Sequence, residues 1–92
     1  MEYQKRHLPP AEYDHDYDGE LIILRTLEPQ VFRACRQIMK PSQQPLGCSQ
    51  RTPPRKCTIW IVTDEELRER GWDYNIILRH EIGHCNGWRH PY

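Results

Sequence analysis

The pattern of apolar and polar residues predicts a few short elements of secondary structure. The run ELIILRTL at 20–27 is rich in Ile and Leu and follows Gly19, which fits either a buried strand or the start of a helix, and we favour the strand. Between residues 29 and 40, apolar residues recur at helical spacing and predict an amphipathic helix. The run CTIWIV at 57–62 is almost wholly β-branched or aromatic and predicts a second strand.

Two helices are predicted in the last third of the chain. Thr63 and Glu66 stand three residues apart, which is the spacing of a capping box, and they predict a short polar helix. Asp73 is placed to cap a longer helix that ends near Asn86. Gly87 then allows the left-handed conformation that commonly ends a helix.

The remaining segments lack a regular period. Residues 1–18 contain two adjacent prolines and a cluster of Asp and Tyr, and we expect an irregular N-terminal arm. Residues 41–55 contain four prolines, and we expect a loop that forms neither a helix nor a central strand. Residues 19–92 would then be one domain.

These elements predict a small α+β fold, in which a short mixed sheet packs against two main helices. We expect both helices on one face of the sheet, with the last helix near the C-terminus. Only 37% of the 92 residues are hydrophobic, so little apolar area is available for burial. A metal bound to the folded state would therefore add to stability.

Charge and hydropathy narrow the range of partners. Thirteen basic and 13 acidic residues give a formal net charge of zero, so we expect no nucleic acid partner. No apolar run approaches the length of a membrane span. The chain as given carries no export signal, so the default expectation is the cytoplasm, with the periplasm and secretion left open.

The four cysteines leave the redox compartment undecided. Cys48 and Cys57 flank the predicted loop and are a candidate disulfide pair in an oxidising compartment. Cys35 and Cys85 fall in predicted helices, where they resemble small apolar residues.

One acidic cluster partly matches a calcium-binding loop. Asp14, Asp16, Asp18 and Gly19 fit its opening, but its twelfth position holds Arg25 instead of a bidentate glutamate. We interpret the cluster as an acidic turn.

The candidate chemistry lies on the last predicted helix, in the motif HExxHxxGxxH at 80–90. His80 and His84 are four apart and lie on one helix face, where both imidazoles reach one ion. Gly87 allows the chain to turn back, so that His90 becomes the third ligand. Glu81 lies near the same face and is the candidate general base.

Three protein ligands leave one zinc position open, and a water bound there is acidified to a pKa near ~7. This arrangement predicts a hydrolase with a Zn2+ cofactor. Glu81 would take a proton from the attacking water and pass it to the leaving amine, so peptide hydrolysis is the natural reaction. Asp64 and Asp73 are candidate carboxylates for orienting the histidines.

The motif resembles that of the metzincin metallopeptidases, in which three histidines bind zinc and the glutamate is the base. The resemblance covers residues 80–90. It implies that the preceding strand pairs with extended substrate, and core packing is the alternative role for that strand. The strand residues are Thr58, Ile59, Trp60 and Ile61. Only Pro91 and Tyr92 follow His90, so the chain would be a minimal form without a Met-turn, with Tyr92 as a candidate oxyanion donor.

Two alternatives remain open. The pattern HxxxHxxGxxH also resembles that of YbeY-like bacterial RNA-processing proteins, although Glu81 and the neutral composition favour a peptidase. The other alternative is a non-catalytic, zinc-stabilised module that binds peptides through the 57–62 strand.

Overall fold

The computed structural model describes residues 6–35 and 46–89 of the chain. Its elements follow in the order 3₁₀ turn (Ala11–Tyr13), β1 (Glu20–Thr26), α1 (Glu28–Cys35), β2 (Gly47–Thr52), β3 (Lys56–Val62), α2 (Asp64–Glu69) and α3 (Tyr74–Cys85). The strands form a mixed sheet in the order β1-β3-β2, in which β1 runs parallel and β2 antiparallel to β3. The predicted α+β fold is confirmed.

The strand β2 was not predicted, because residues 41–55 were expected to form a loop. Its polar sequence GCSQRT shows no apolar alternation, and its position depends on pairing with β3. Pro53 and Pro54 lie in the turn between β2 and β3, so they interrupt neither strand. The prediction of a loop is therefore wrong at 47–52. The segment forms an edge strand and not a central one, in agreement with the second part of that prediction.

The helices begin and end largely as their capping residues predict. Thr63 Oγ1 accepts a hydrogen bond from the Glu66 amide at 3.3 Å, and Asp73 Oδ1 accepts one from the Asn75 amide at 2.8 Å. Gly87 has a φ of +105°, in the left-handed region that glycine favours. The helix predicted at 29–40 is present as α1 to Cys35, and residues 36–40 lie outside the described residues.

The two main helices lie on opposite faces of the sheet, which corrects the expectation of a single face. Side chains alternate along a strand, so Cys57 and Trp60 point to opposite faces of β3. Cys57 is bonded to Cys85 of α3. Cys48 lies opposite Trp60 and shares its face, and it is bonded to Cys35 of α1. The candidate Cys48–Cys57 bond was wrong, because those two side chains point away from each other.

The core lies on both faces of β3. The fully buried side chains with the largest volumes are Ile59, Ile61, Leu67, Val31, Val62, Cys35 and Cys57. Ile59 and Ile61 are therefore packing residues, because they point from the central strand towards α3. No helix in the part of the chain that the structure describes is long and apolar enough to cross a bilayer.

Candidate metal centre

The helix α3 brings two of the predicted ligands together. The Nε2 atoms of His80 and His84 lie 3.2 Å apart, and their ring centroids are 4.8 Å apart. Zinc–nitrogen bonds of about 2.0–2.1 Å at a tetrahedral angle set two ligand nitrogens about 3.3–3.4 Å apart. The observed separation of the two rings therefore fits a shared zinc ion.

The other nitrogen of each ring is fixed by a main-chain carbonyl. His80 Nδ1 contacts the carbonyl oxygen of His7, and His84 Nδ1 contacts that of Trp88 at 2.7 Å. A carbonyl only accepts hydrogen bonds, so each Nδ1 carries the proton and each Nε2 keeps a lone pair that a metal ion could use. Histidine ligands in metal sites typically donate their second nitrogen in this way.

The sequence carries no signal for these carbonyl partners, and the candidates predicted from it were Asp64 and Asp73. Asp64 accepts a hydrogen bond from Arg25 at 2.6 Å, and Asp73 caps α3. Neither carboxylate is the partner of His80 Nδ1 or His84 Nδ1, which contact main-chain carbonyls instead. Main-chain oxygens carry no residue-type signature, so only the positions of the arm and of the turn after α3 identify them.

Trp88 encloses the histidine pair from the C-terminal side. Its ring stacks on that of His84 at 4.8 Å with an interplanar angle of 8°, and it meets His80 edge-on at 4.9 Å. The Trp88 amide donates to the Gly83 carbonyl at 3.0 Å. The chain therefore turns back towards α3 between Gly87 and Trp88. His90 and Tyr92 lie outside the described residues.

Glu81 is buried on the side of α3 that faces the sheet. Its side chain is only 5% exposed, and it hydrogen-bonds with Ser49 of β2. Burial raises the pKa of Glu81 to about 8, and the bond to Ser49 acts in the opposite direction. Burial also lowers the pKa of His84, against the hydrogen bond to Trp88, and so favours the neutral imidazole that a metal requires.

The edge strand β2 runs alongside α3 in the same direction. Two strand residues advance about 6.6 Å and four helical residues about 6 Å, so successive inward side chains of β2 meet successive turns of α3. Two such pairs are Gly47 with Ile77 and Ser49 with Glu81, and Arg51 approaches Gly87 just beyond the end of α3. Helical residues advance about 100° each, so the arm at Gly83 and β2 at Glu81 lie on opposite sides of the histidines.

The predicted substrate strand is not available for pairing. The backbone of β3 is paired with β1 on one side and with β2 on the other. Thr58, Ile59, Trp60 and Ile61 therefore cannot form main-chain hydrogen bonds with a peptide, which corrects that expectation. Among residues 6–35 and 46–89, no strand pairs with the outer edge of β2, which lies next to α3.

The acidic turn has ion-pair partners. Asp14 pairs with Arg79 of α3, and Asp18 pairs with Arg55 at 2.5 Å. These arginines account for two carboxylates of the incomplete calcium motif, in agreement with its interpretation as an acidic turn.

Within residues 6–35 and 46–89, no group of three or more His, Cys, Asp or Glu side chains is arranged to hold a metal ion. The predicted third ligand, His90, falls outside those ranges. Comparisons of the chain with protein-family models, curated proteins and solved structures give no match.

Proposed function

We propose that this chain is a zinc-dependent metallopeptidase of a minimal, metzincin-like form. The observation that carries the proposal is the 3.2 Å separation of the His80 and His84 Nε2 atoms, with both Nδ1 atoms fixed by carbonyls. The proposed ligands are His80, His84 and His90, and the proposed base is Glu81. When bound, the zinc would acidify a water and polarise a carbonyl group.

The chain's own residues would orient the reactants and move the proton. The His7 and Trp88 carbonyls hold the two ligand rings in the required tautomer. In its ionised form, Glu81 would accept a proton from the attacking water and return it to the leaving amine. The Ser49 hydroxyl would hold that carboxylate in position. An extended peptide would pair with the outer edge of β2, which replaces β3 in this role.

We assign the protein to an oxidising compartment, either the periplasm or the extracellular space. The support is that all four cysteines form two buried disulfides, with Cα–Cα distances of 5.8 and 5.9 Å. Disulfides persist where thiols are not kept reduced. This assignment replaces the cytoplasmic default.

A second candidate is the zinc-stabilised peptide-binding module without catalysis. The observation that favours it is the burial of Glu81, because a base must reach a water in the open zinc position. In this case the zinc would stabilise the fold, and β2 would bind the peptide.

The variant Glu81→Gln separates the two candidates, because it keeps the shape of the side chain and removes the base. We expect zinc content and unfolding midpoint to be kept, while cleavage of a labelled, denatured protein falls at least ~100-fold. The matched control is Glu69→Gln, which changes an exposed carboxylate on α2. We expect this variant to cleave the substrate at the wild-type rate. Zinc-loaded protein that binds peptides but cleaves none of a broad peptide library would overturn the peptidase proposal.

A further inference from the structure

The described part of the N-terminal arm, residues 6–18, runs across the helix that carries the candidate ligands. Arg79 Nε donates to Asp14 Oδ1 at 3.1 Å, just before the first ligand. Asn86 Nδ2 donates to the carbonyls of Tyr13 at 2.9 Å and His15 at 2.7 Å, just after the second. The arm is thus attached to α3 on both sides of the HExxH segment.

Between these attachments, the arm touches the helix at Gly83. A Cβ atom at this position would lie 2.6 Å from Pro9 Cβ and 2.9 Å from Pro9 Cγ, both too close for a real contact. The absence of a side chain therefore sets how closely the arm approaches the helix.

This close approach brings the main chain of His7 to the first ligand. The His7 carbonyl contacts His80 Nδ1, and the His7 ring meets Trp72 edge-on with centroids 5.1 Å apart. The orientation of His80 therefore depends on a segment more than 70 residues away in sequence.

We propose that docking of the arm on α3 positions His80 for metal binding, through the His7 carbonyl, and so couples the arm to zinc affinity. This inference rests on the proposed metal site. Removing the partner that orients a metal-bound histidine typically weakens metal affinity about 10–100-fold. An arm that only covers apolar surface would affect stability and leave zinc affinity unchanged.

The variant Gly83→Ala distinguishes an arm that orients His80 from one that only covers apolar surface. The substitution should stabilise the helix itself while it weakens docking of the arm. Alanine favours a helix interior more than glycine does, so the helix itself gains stability. Its methyl group displaces Pro9, and we expect zinc affinity to fall at least ~10-fold in a competition titration of Zn2+ against a chelator.

A second substitution tests whether the arm is the cause. The same methyl group would lie 3.2 Å from Trp88 Cε3, so it also crowds the ring that stacks on His84. Pro9→Gly removes the two arm atoms and leaves Trp88 unchanged. We expect Gly83→Ala to weaken zinc binding in the wild-type background but to have less than a ~2-fold effect in the Pro9→Gly background.

The two arm ion pairs supply a matched control. Asp14→Asn loosens the arm from α3, whereas Asp18→Asn breaks the pair with Arg55, which lies outside α3. We expect only the first to weaken zinc binding. Equal zinc affinity in wild type, Gly83→Ala and Asp14→Asn would overturn the arm proposal. An equally large effect of Gly83→Ala in the wild-type and Pro9→Gly backgrounds would also overturn it. Wild-type protein that binds no zinc would instead overturn the proposed function together with it.

Discussion

The Cys57–Cys85 disulfide links the helix that carries the candidate ligands to the central strand. We predict that replacing both cysteines by alanine lowers the free energy of unfolding and also weakens zinc binding. The two residues are 28 apart in sequence, and closing a loop of that length is worth about 3.5 kcal/mol. A domain with a total stability of roughly 5–15 kcal/mol would lose a large part of it.

The Cys35–Cys48 disulfide provides the comparison. Its residues are 13 apart, which corresponds to about 3 kcal/mol, and both disulfides are buried. The two double variants therefore remove similar amounts of stability. Only Cys57→Ala/Cys85→Ala acts next to His84, so we expect it alone to weaken zinc binding.

The assays are urea unfolding followed by tryptophan fluorescence, and zinc titration at a temperature where both variants are folded. Similar losses of stability with unequal losses of zinc affinity would agree with the reasoning. Equal zinc affinity in the two variants would refute the link between this disulfide and the metal site. Native protein with thiols that react with an alkylating reagent, detected by mass spectrometry, would refute the disulfides themselves.

Two further predictions concern pH and metal removal. The hydrogen bond from Arg79 lowers the pKa of Asp14 below its ordinary value of 3.8. The ionised Asp14 side chain therefore stabilises the folded state fully above pH 3.8, and this stabilisation is lost as the pH falls through the lower pKa of the folded state. The difference in urea midpoint between wild type and Asp14→Asn should accordingly shrink below about pH 4, and a difference that grows there would contradict the assignment. Zinc at 100 times its Kd should add about 2.7 kcal/mol to the free energy of unfolding. A chelator should therefore lower the Tm measured by calorimetry. An unchanged Tm, with removal of the metal verified, would contradict zinc binding to the folded state.

The elements that were predicted correctly are those encoded by local chemistry. The runs at 20–27 and 57–62 are both strands as predicted, and the β-branched run at 57–62 is the buried central strand. The run at 20–27 was expected to be buried, but it is an edge strand in which Ile23 and Leu24 are exposed. Thr63 and Asp73 supply oxygens to orphan amides at helix N-termini, and Gly87 adopts a conformation that other residues avoid. Each of these effects acts within a few residues, so the sequence alone identifies it.

The features that were missed depend on residues far apart in the chain. The strand β2 is polar and short, and its position follows from its pairing with β3. The disulfide partners of Cys48 and Cys57 follow from which face of the sheet each occupies, and that depends on the helix packed there. For the candidate site, the ligand pair was predicted from spacing, whereas the His7 carbonyl is supplied by the folded arm.

The central claim is that histidine nitrogens converge on one zinc ion. Nitrogen NMR of the histidine rings, recorded on ¹⁵N-labelled protein before and after adding one equivalent of Zn2+, tests it most directly. We predict that His80 and His84 coordinate through Nε2 with the proton retained on Nδ1, and that His90 shifts with them. Ring signals of these three residues that stay unchanged on zinc addition, or coordination of His80 or His84 through Nδ1, would contradict the account.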